Sequence, residues 1–124
     1  MNNKEIKKKR GLREAQNAAL ILKSDIRSIR HVQDWAFKVR CSKTKLNRLI
    51  AKHYGISPKM LMMLVRLDSI IKVIKKHPEM GCYGVANECG LRNDKVLYQF
   101  LSRNFDTSFS ELRIKTLCDS DLQF

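Results

Sequence analysis

At 124 residues and 44% hydrophobic content, the chain is long enough to bury a core as one compact domain or two small lobes, which excludes a disordered tail. No uninterrupted apolar run approaches the roughly 20 residues of a membrane span, so a soluble protein is expected. The 25 Lys and Arg against 12 Asp and Glu, net +13, point to a polyanionic partner, nucleic acid ahead of an anionic membrane surface.

The charge is unevenly spread. Residues 1–30 and 31–60 each carry +6, residues 61–91 carry +1, and residues 92–124 are neutral. Cys41, Cys82, Cys89 and Cys118 form no Cys-x-x-Cys pair, and the polar start MNNKEIKKKR is no secretory leader. Four reduced thiols in a cytoplasmic protein are expected. The spacings of these cysteines and of His31, His53 and His77 match no zinc-ligand pattern, so no metal or other cofactor is expected. Cys41 and Cys89 fall on apolar periodicity and read as small core residues.

In chain order, residues 1–11 contain KEIKKKR, too polar to fold around anything; a solvated tail is expected, with a phosphate-contacting arm as the alternative. Leu12, Ala15, Ala19, Leu22, Ile26 and Ile29 then recur at steps of three and four, which predicts one apolar stripe on a helix of roughly 12–26. Further on, Ser57 and Pro58 suit the cap and first position of a helix whose apolar run continues to Lys76. His77-Pro78 and Gly81 end it. The methionines at 60, 62 and 63 read as core filler.

An internal repeat organises the rest. Trp35-Ala36 aligns with Val85-Ala86 and Arg40 with Gly90 at an offset of 50. After one inserted residue the offset is 51: Leu46 over Leu97, Leu49-Ile50 over Phe100-Leu101, Tyr54-Gly55 over Phe105-Asp106, Ser57 over Ser108. Each copy reads as a short helix, a tight turn, a second helix capped by Ser42 or Asn93, and a closing turn. That is a helix-turn-helix written twice. The expected fold is all-α: two helix-turn-helix subdomains joined by a long linker helix. The expected segments are a tail at 1–11, a first lobe at 12–57, the linker at 58–76, a second lobe at 77–117 and a C-terminal tail at 118–124.

In such a unit the second helix enters the major groove while its other face packs on the first. In the first copy Leu46, Leu49 and Ile50 turn inward, leaving Thr44, Lys45, Asn47 and Arg48 outside. Arg and Lys reach guanine O6 and N7, and Asn can pair with adenine. In the second copy Leu97, Phe100 and Leu101 turn inward, exposing Asn93, Asp94, Lys95, Tyr98 and Gln99. That set is less basic, and phosphates repel Asp94, which only a cytosine amino group would welcome. The 58–76 helix would span about 28 Å, comparable with the roughly 34 Å between successive major-groove faces.

Ala36, Ser42, Leu46-x-Arg48-x-Ile50, Tyr54-Gly55-Ile56-Ser57-Pro58, Arg66-Leu67, Val85-Ala86-x-x-x-Gly90-Leu91 and Phe105, in this order and spacing, resemble the double helix-turn-helix domain of the AraC/XylS transcriptional regulators over about residues 12–117. The resemblance implies a DNA-binding transcription regulator, not an enzyme. It implies double-stranded DNA as partner, activation through contact with RNA polymerase, and a monomer placing two recognition helices in adjacent major grooves. It places reading positions at Thr44, Lys45, Asn47 and Arg48, and at Asp94, Lys95, Val96, Tyr98 and Gln99. Arg40 stands where the family has glycine, Gln99 where it commonly has arginine, Ser102 where it has a basic residue, and Phe109 where it often has proline. An asymmetric grip dominated by the first head is therefore expected, and a reshaped turn at Arg40. With no room for a sensor domain, the chain resembles the standalone members or a domain cut from a longer chain. Two alternatives stand beside this: a basic architectural DNA-binding protein of low specificity, and a DNA-binding lobe joined to a protein-docking lobe.

Overall fold

The computed structural model describes residues 2–121, which are helical and irregular, with no strand among them. The helices are α1 (Asn3–Ser24), α2 (Val32–Val39), α3 (Lys43–Tyr54), α4 (Pro58–Lys76), α5 (Cys82–Glu88), α6 (Asp94–Phe105) and α7 (Phe109–Asp121), with a single 3₁₀ turn at Ile26–Ser28. The chain divides at Val65/Arg66 into two compact units. Met1 and residues 122–124, the end of the expected C-terminal tail, lie outside the described residues; residues 118–121 continue α7.

In the first unit α1 starts at Asn3, not near residue 12. Residues 3–11, expected as a tail, are helical because Asn2 Oδ1 accepts from the Glu5 N–H at 2.9 Å and Glu5 sits in the first turn, where the helix dipole favours an anion. The packed segment further along supplies the helix nucleus, so adding Lys and Arg residues to it costs little. The buried face is Ala15, Ala18, Ala19 and Leu22; Leu12, expected on that face, is exposed.

These small residues let α2 and α3 approach closely. Trp35 of α2 is fully buried, and its Nε1 donates to the Ala18 carbonyl at 2.9 Å, which satisfies the one polar atom the indole carries into the core. Leu46 and Ile50 of α3, Ile26 and Ile29, and Met62 and Val65 of α4 complete the cluster, with Cys41 half-buried at its edge.

The second unit repeats the plan. Ile70 and Ile74 of α4 pack with Val85 and Ala86 of α5, Cys89 and Leu91 of the turn, and Leu97 and Leu101 of α6. Arg66, 5% exposed, donates from Nη1 to the Cys89 carbonyl at 2.7 Å, a charge-assisted bond that holds the C-terminal end of α5.

The central turns of the two copies match. Cys41 N–H donates to the Ala36 carbonyl at 3.1 Å and Leu91 N–H to the Ala86 carbonyl at 2.9 Å, so Arg92 is the inserted residue. Arg40 (φ 65) does not reshape its turn: it takes the left-handed conformation that Gly90 (φ 80) takes in the other copy. At the closing turns the pattern is reversed, with Gly55 at φ 72 and Asp106 at φ 50. The next helices are capped alike, Met60 N–H to Ser57 Oγ and Glu111 N–H to Ser108 Oγ, both at 3.1 Å.

Candidate nucleic-acid interface

The outer face of α3 is assembled by its cap and its two inward residues. Ser42 Oγ accepts from the Lys45 N–H at 3.0 Å, which sets where the helix begins. Leu46 and Ile50, fully buried, set its rotation. With start and rotation set, Thr44, Lys45, Asn47 and Arg48 all stand exposed on one side. The Lys45 ammonium pairs with Glu14 of α1 at 3.0 Å, a half-exposed contact that orients the side chain more than it stabilises the fold. Glu14 was not among the residues expected from the sequence; its only signal is its place on one helical face with Lys7 and Arg10.

The first turn of α3 is electrostatically expensive. It contains no acidic residue and holds Lys43 and Lys45 close to the positive end of the helix dipole. The first turn of α6 carries Asp94 instead, the sign the dipole favours, which accounts for this residue without any base contact.

On α6 the expected reading set divides. Asp94, Lys95 and Tyr98 are exposed and Gln99 is half-buried. Asn93 is committed to the fold: its Oδ1 accepts from the Val96 N–H at 3.0 Å as the N-cap. Val96, implied as a reading position by the resemblance, is half-buried against the second core because the inward face of α6 is wide enough to include it. This leaves Lys95, Tyr98 and Gln99, with Asp94 at the tip, as the outward face.

The three thiols nearest the cores are held protonated. Burial pushes Cys41, Cys82 and Cys89 upward from the ordinary thiol range; at Cys89 this outweighs the hydrogen bond that Ser69 Oγ donates to Sγ at 3.4 Å, which acts the other way. The start of α2 shows the opposite effect. The Asp34 carboxylate accepts from the backbone N–H groups of His31 at 2.9 Å and Arg30 at 3.1 Å, which lowers its pKa. Among the described residues no group of three or more His, Cys, Asp or Glu is placed to hold a metal, and no helix is long and apolar enough to cross a membrane.

No protein-family model and no curated protein matches the chain. Solved structures do. The C-terminal domain of AraT, a response regulator from Geobacillus stearothermophilus, matches with a TM-score of 0.71 at 16% identity, over 82% of this chain and 84% of that one. The fold is that of the AraC-type DNA-binding domains. An AraC-type regulator from Chromobacterium violaceum matches with a TM-score of 0.67 at 18% identity, over 90% and 96% of the two chains. The DNA-binding domain of the global transcriptional factor AdpA, solved with a target DNA, matches with a TM-score of 0.69 at 16% identity, over 82% and 90%. At such identities the AraC-type likeness is one of backbone, and the surface of α3 and α6 is this chain's own.

Proposed function

We propose that the protein is a sequence-specific, double-stranded-DNA-binding transcription regulator that reads its site chiefly through Thr44, Lys45, Asn47 and Arg48 of α3. The observation that carries this reading is the pair of lysines in the first turn of α3, where the helix dipole disfavours them. Glu14 offsets Lys45 within the fold, but Lys43 has no carboxylate partner among the described residues, and a helix tip facing phosphates and guanine edges favours both. The AraC-type fold supplies the frame, and the charge of residues 1–65, 16 basic against 4 acidic, supplies a field that steers DNA toward it.

In this reading the protein acts in a bacterial cytoplasm, binds as a monomer, activates transcription through contact with RNA polymerase, and has no catalytic role. Lys95, Tyr98 and Gln99 of α6 form a second, weaker head. One observation favours giving that head a supporting role: two of its expected readers, Asn93 and Val96, are committed to capping and packing. Substituting Lys95 and Gln99 by Ala should then weaken DNA binding less than Arg48→Ala does, and an unchanged affinity would instead favour a protein-docking second lobe.

The test is selection from a random duplex library at near-physiological salt, with sequencing of the bound pool. Two enriched blocks about 10 base pairs apart would establish two reading heads, and one block would leave reading to α3. No enrichment would overturn the proposal and leave a basic architectural protein held by phosphate contacts alone.

A further inference from the structure

The first two turns of α1, held by the Asn2 cap and by the packed segment beyond them, add nothing to the buried core. Residues 2–10 are exposed throughout, and Lys7, Lys8, Lys9 and Arg10 crowd four like charges into about one turn. Such a polar stretch draws no stability from burial, so its charges are free to serve a surface role.

The geometry places these turns beside α3. A groove of about 370 Å³ runs between the two helices, with Lys7 and Arg10 on the α1 wall and Arg48 and Lys52 on the α3 wall. Lys45 and Glu14 also border it and pair with each other at 3.0 Å, so together they add no net charge to the groove. The other four cations pair with no carboxylate among the described residues. Gly11 and His53 also line the groove; His53 Nε2 is buried without a hydrogen-bond partner, and a Cβ at Gly11 would lie 2.9 Å from that nitrogen, so a side chain there would make the ring shift. Four cations converging on one cleft repel one another, and an anion in the cleft turns that repulsion into attraction.

We propose that this groove is a phosphate site, occupied by a backbone phosphate of the duplex when α3 faces DNA, and that residues 3–11 form a helical clamp on the strand flanking the first head. The proposal rests on the reading of α3 as a DNA-facing helix. The clamp contacts only phosphate, so it adds affinity without sequence preference.

The test compares the full chain with Lys7→Gln/Arg10→Gln, using the selected duplex and a shuffled duplex over a range of salt concentrations. Gln keeps the helix propensity while removing both charges. The expected result is equal weakening on both duplexes, an unchanged selected motif, and a log K against log salt slope shallower by about one to two. Lys52→Gln, on the opposite wall, should lower the slope by about one. Lys4→Gln/Lys8→Gln removes the same charge from α1 residues that do not line the groove and should change the slope less. An unchanged slope in both groove variants, or an equal loss in the Lys4/Lys8 control, would overturn the clamp. A wild type that enriches no sequence yet loses slope in the groove variants alone would overturn the specific-regulator reading and support the clamp. A wild type that binds no duplex would overturn both.

Discussion

The helices α3 and α6 share a length of 12 residues and a frame, and almost nothing on their outer faces. Each follows a left-handed turn residue, is capped by a side-chain oxygen and turns two fully buried aliphatic residues inward. Outside, Thr44, Lys45, Asn47 and Arg48 of one correspond to Lys95, Val96, Tyr98 and Gln99 of the other. The units around them carry net +12 over residues 1–65 and +1 over residues 66–124. The comparison separates two kinds of position. Those that set helix start, rotation and turn handedness must satisfy backbone geometry and burial, so they repeat; those facing away are free to differ, and here only the first copy carries a predominantly basic outer face.

The largest test of this shared frame is in the cores. Trp35 and Val85 occupy matching positions, both fully buried. Trp35→Ala should cost about 3–5 kcal/mol, opening a cavity and losing the indole bond to the Ala18 carbonyl, against about 2 kcal/mol for Val85→Ala. Hydrogen exchange resolved by lobe under increasing denaturant should show each loss confined to its own unit. Equal losses would mean that the first core does not depend on its one large side chain.

Next in size is the outer face. Arg48→Ala should weaken the preferred site roughly 5- to 150-fold and relax one base position, while Gln99→Ala, its counterpart, should do less. Binding measured on the selected duplex and on single-base variants of it decides this. An equal loss on every sequence would make Arg48 a phosphate contact and move it wholly into the groove beside α1.

Smaller effects sharpen the turn comparison. Arg40→Gly should raise the stability of the first lobe by up to about 1 kcal/mol, because it removes left-handed strain but returns chain entropy, and Gly90→Ala should lower that of the second by a similar amount. Thermal melts of the two variants should shift in opposite directions. A fall for Arg40→Gly would mean that the arginine side chain holds its turn by contacts that outweigh the strain.

The smallest effect is titratable and belongs to the first lobe alone. Asp34 holds the start of α2 through two backbone N–H groups, whereas Gly81 at the start of α5 offers no side chain. The folded-state pKa of Asp34 lies below its ordinary value, so its contribution is present above the ordinary carboxylate range and is lost as the pH falls through the lowered value. Asp34→Asn should flatten the acid limb of the first lobe's stability and leave the second unchanged. An acid limb unaltered by the substitution would assign the pH dependence to other carboxylates.

Much of this could be read along the chain. The repeat, both caps and the bounds of α4 at Pro58 and Lys76 are local signals, carried by side-chain-to-backbone bonds three residues apart or by the fixed φ of proline. The inward residues of α3 and α6 follow from helical periodicity. The helicity of residues 3–11 was not legible, because their polar composition describes a tail equally well until the packed segment beyond them nucleates the helix. Glu14 against Lys45, His53 against Gly11 and Arg66 on the Cys89 carbonyl join residues more than 20 positions apart, beyond the reach of any local pattern. The withdrawal of Val96 from the outer face depended on how wide a side of α6 the second core covers, which no single-helix periodicity specifies.

The sequence by itself therefore determined the all-α architecture, the doubled motif and the uneven charge, since each follows from residue type and spacing along one chain. Only the tertiary structure decided which outward residues remain outward, that Arg40 keeps the turn it strains, and that two stretches of basic residues far apart in sequence face one groove. Those outcomes depend on how helices pack, and packing is settled by the fit of whole faces against one another.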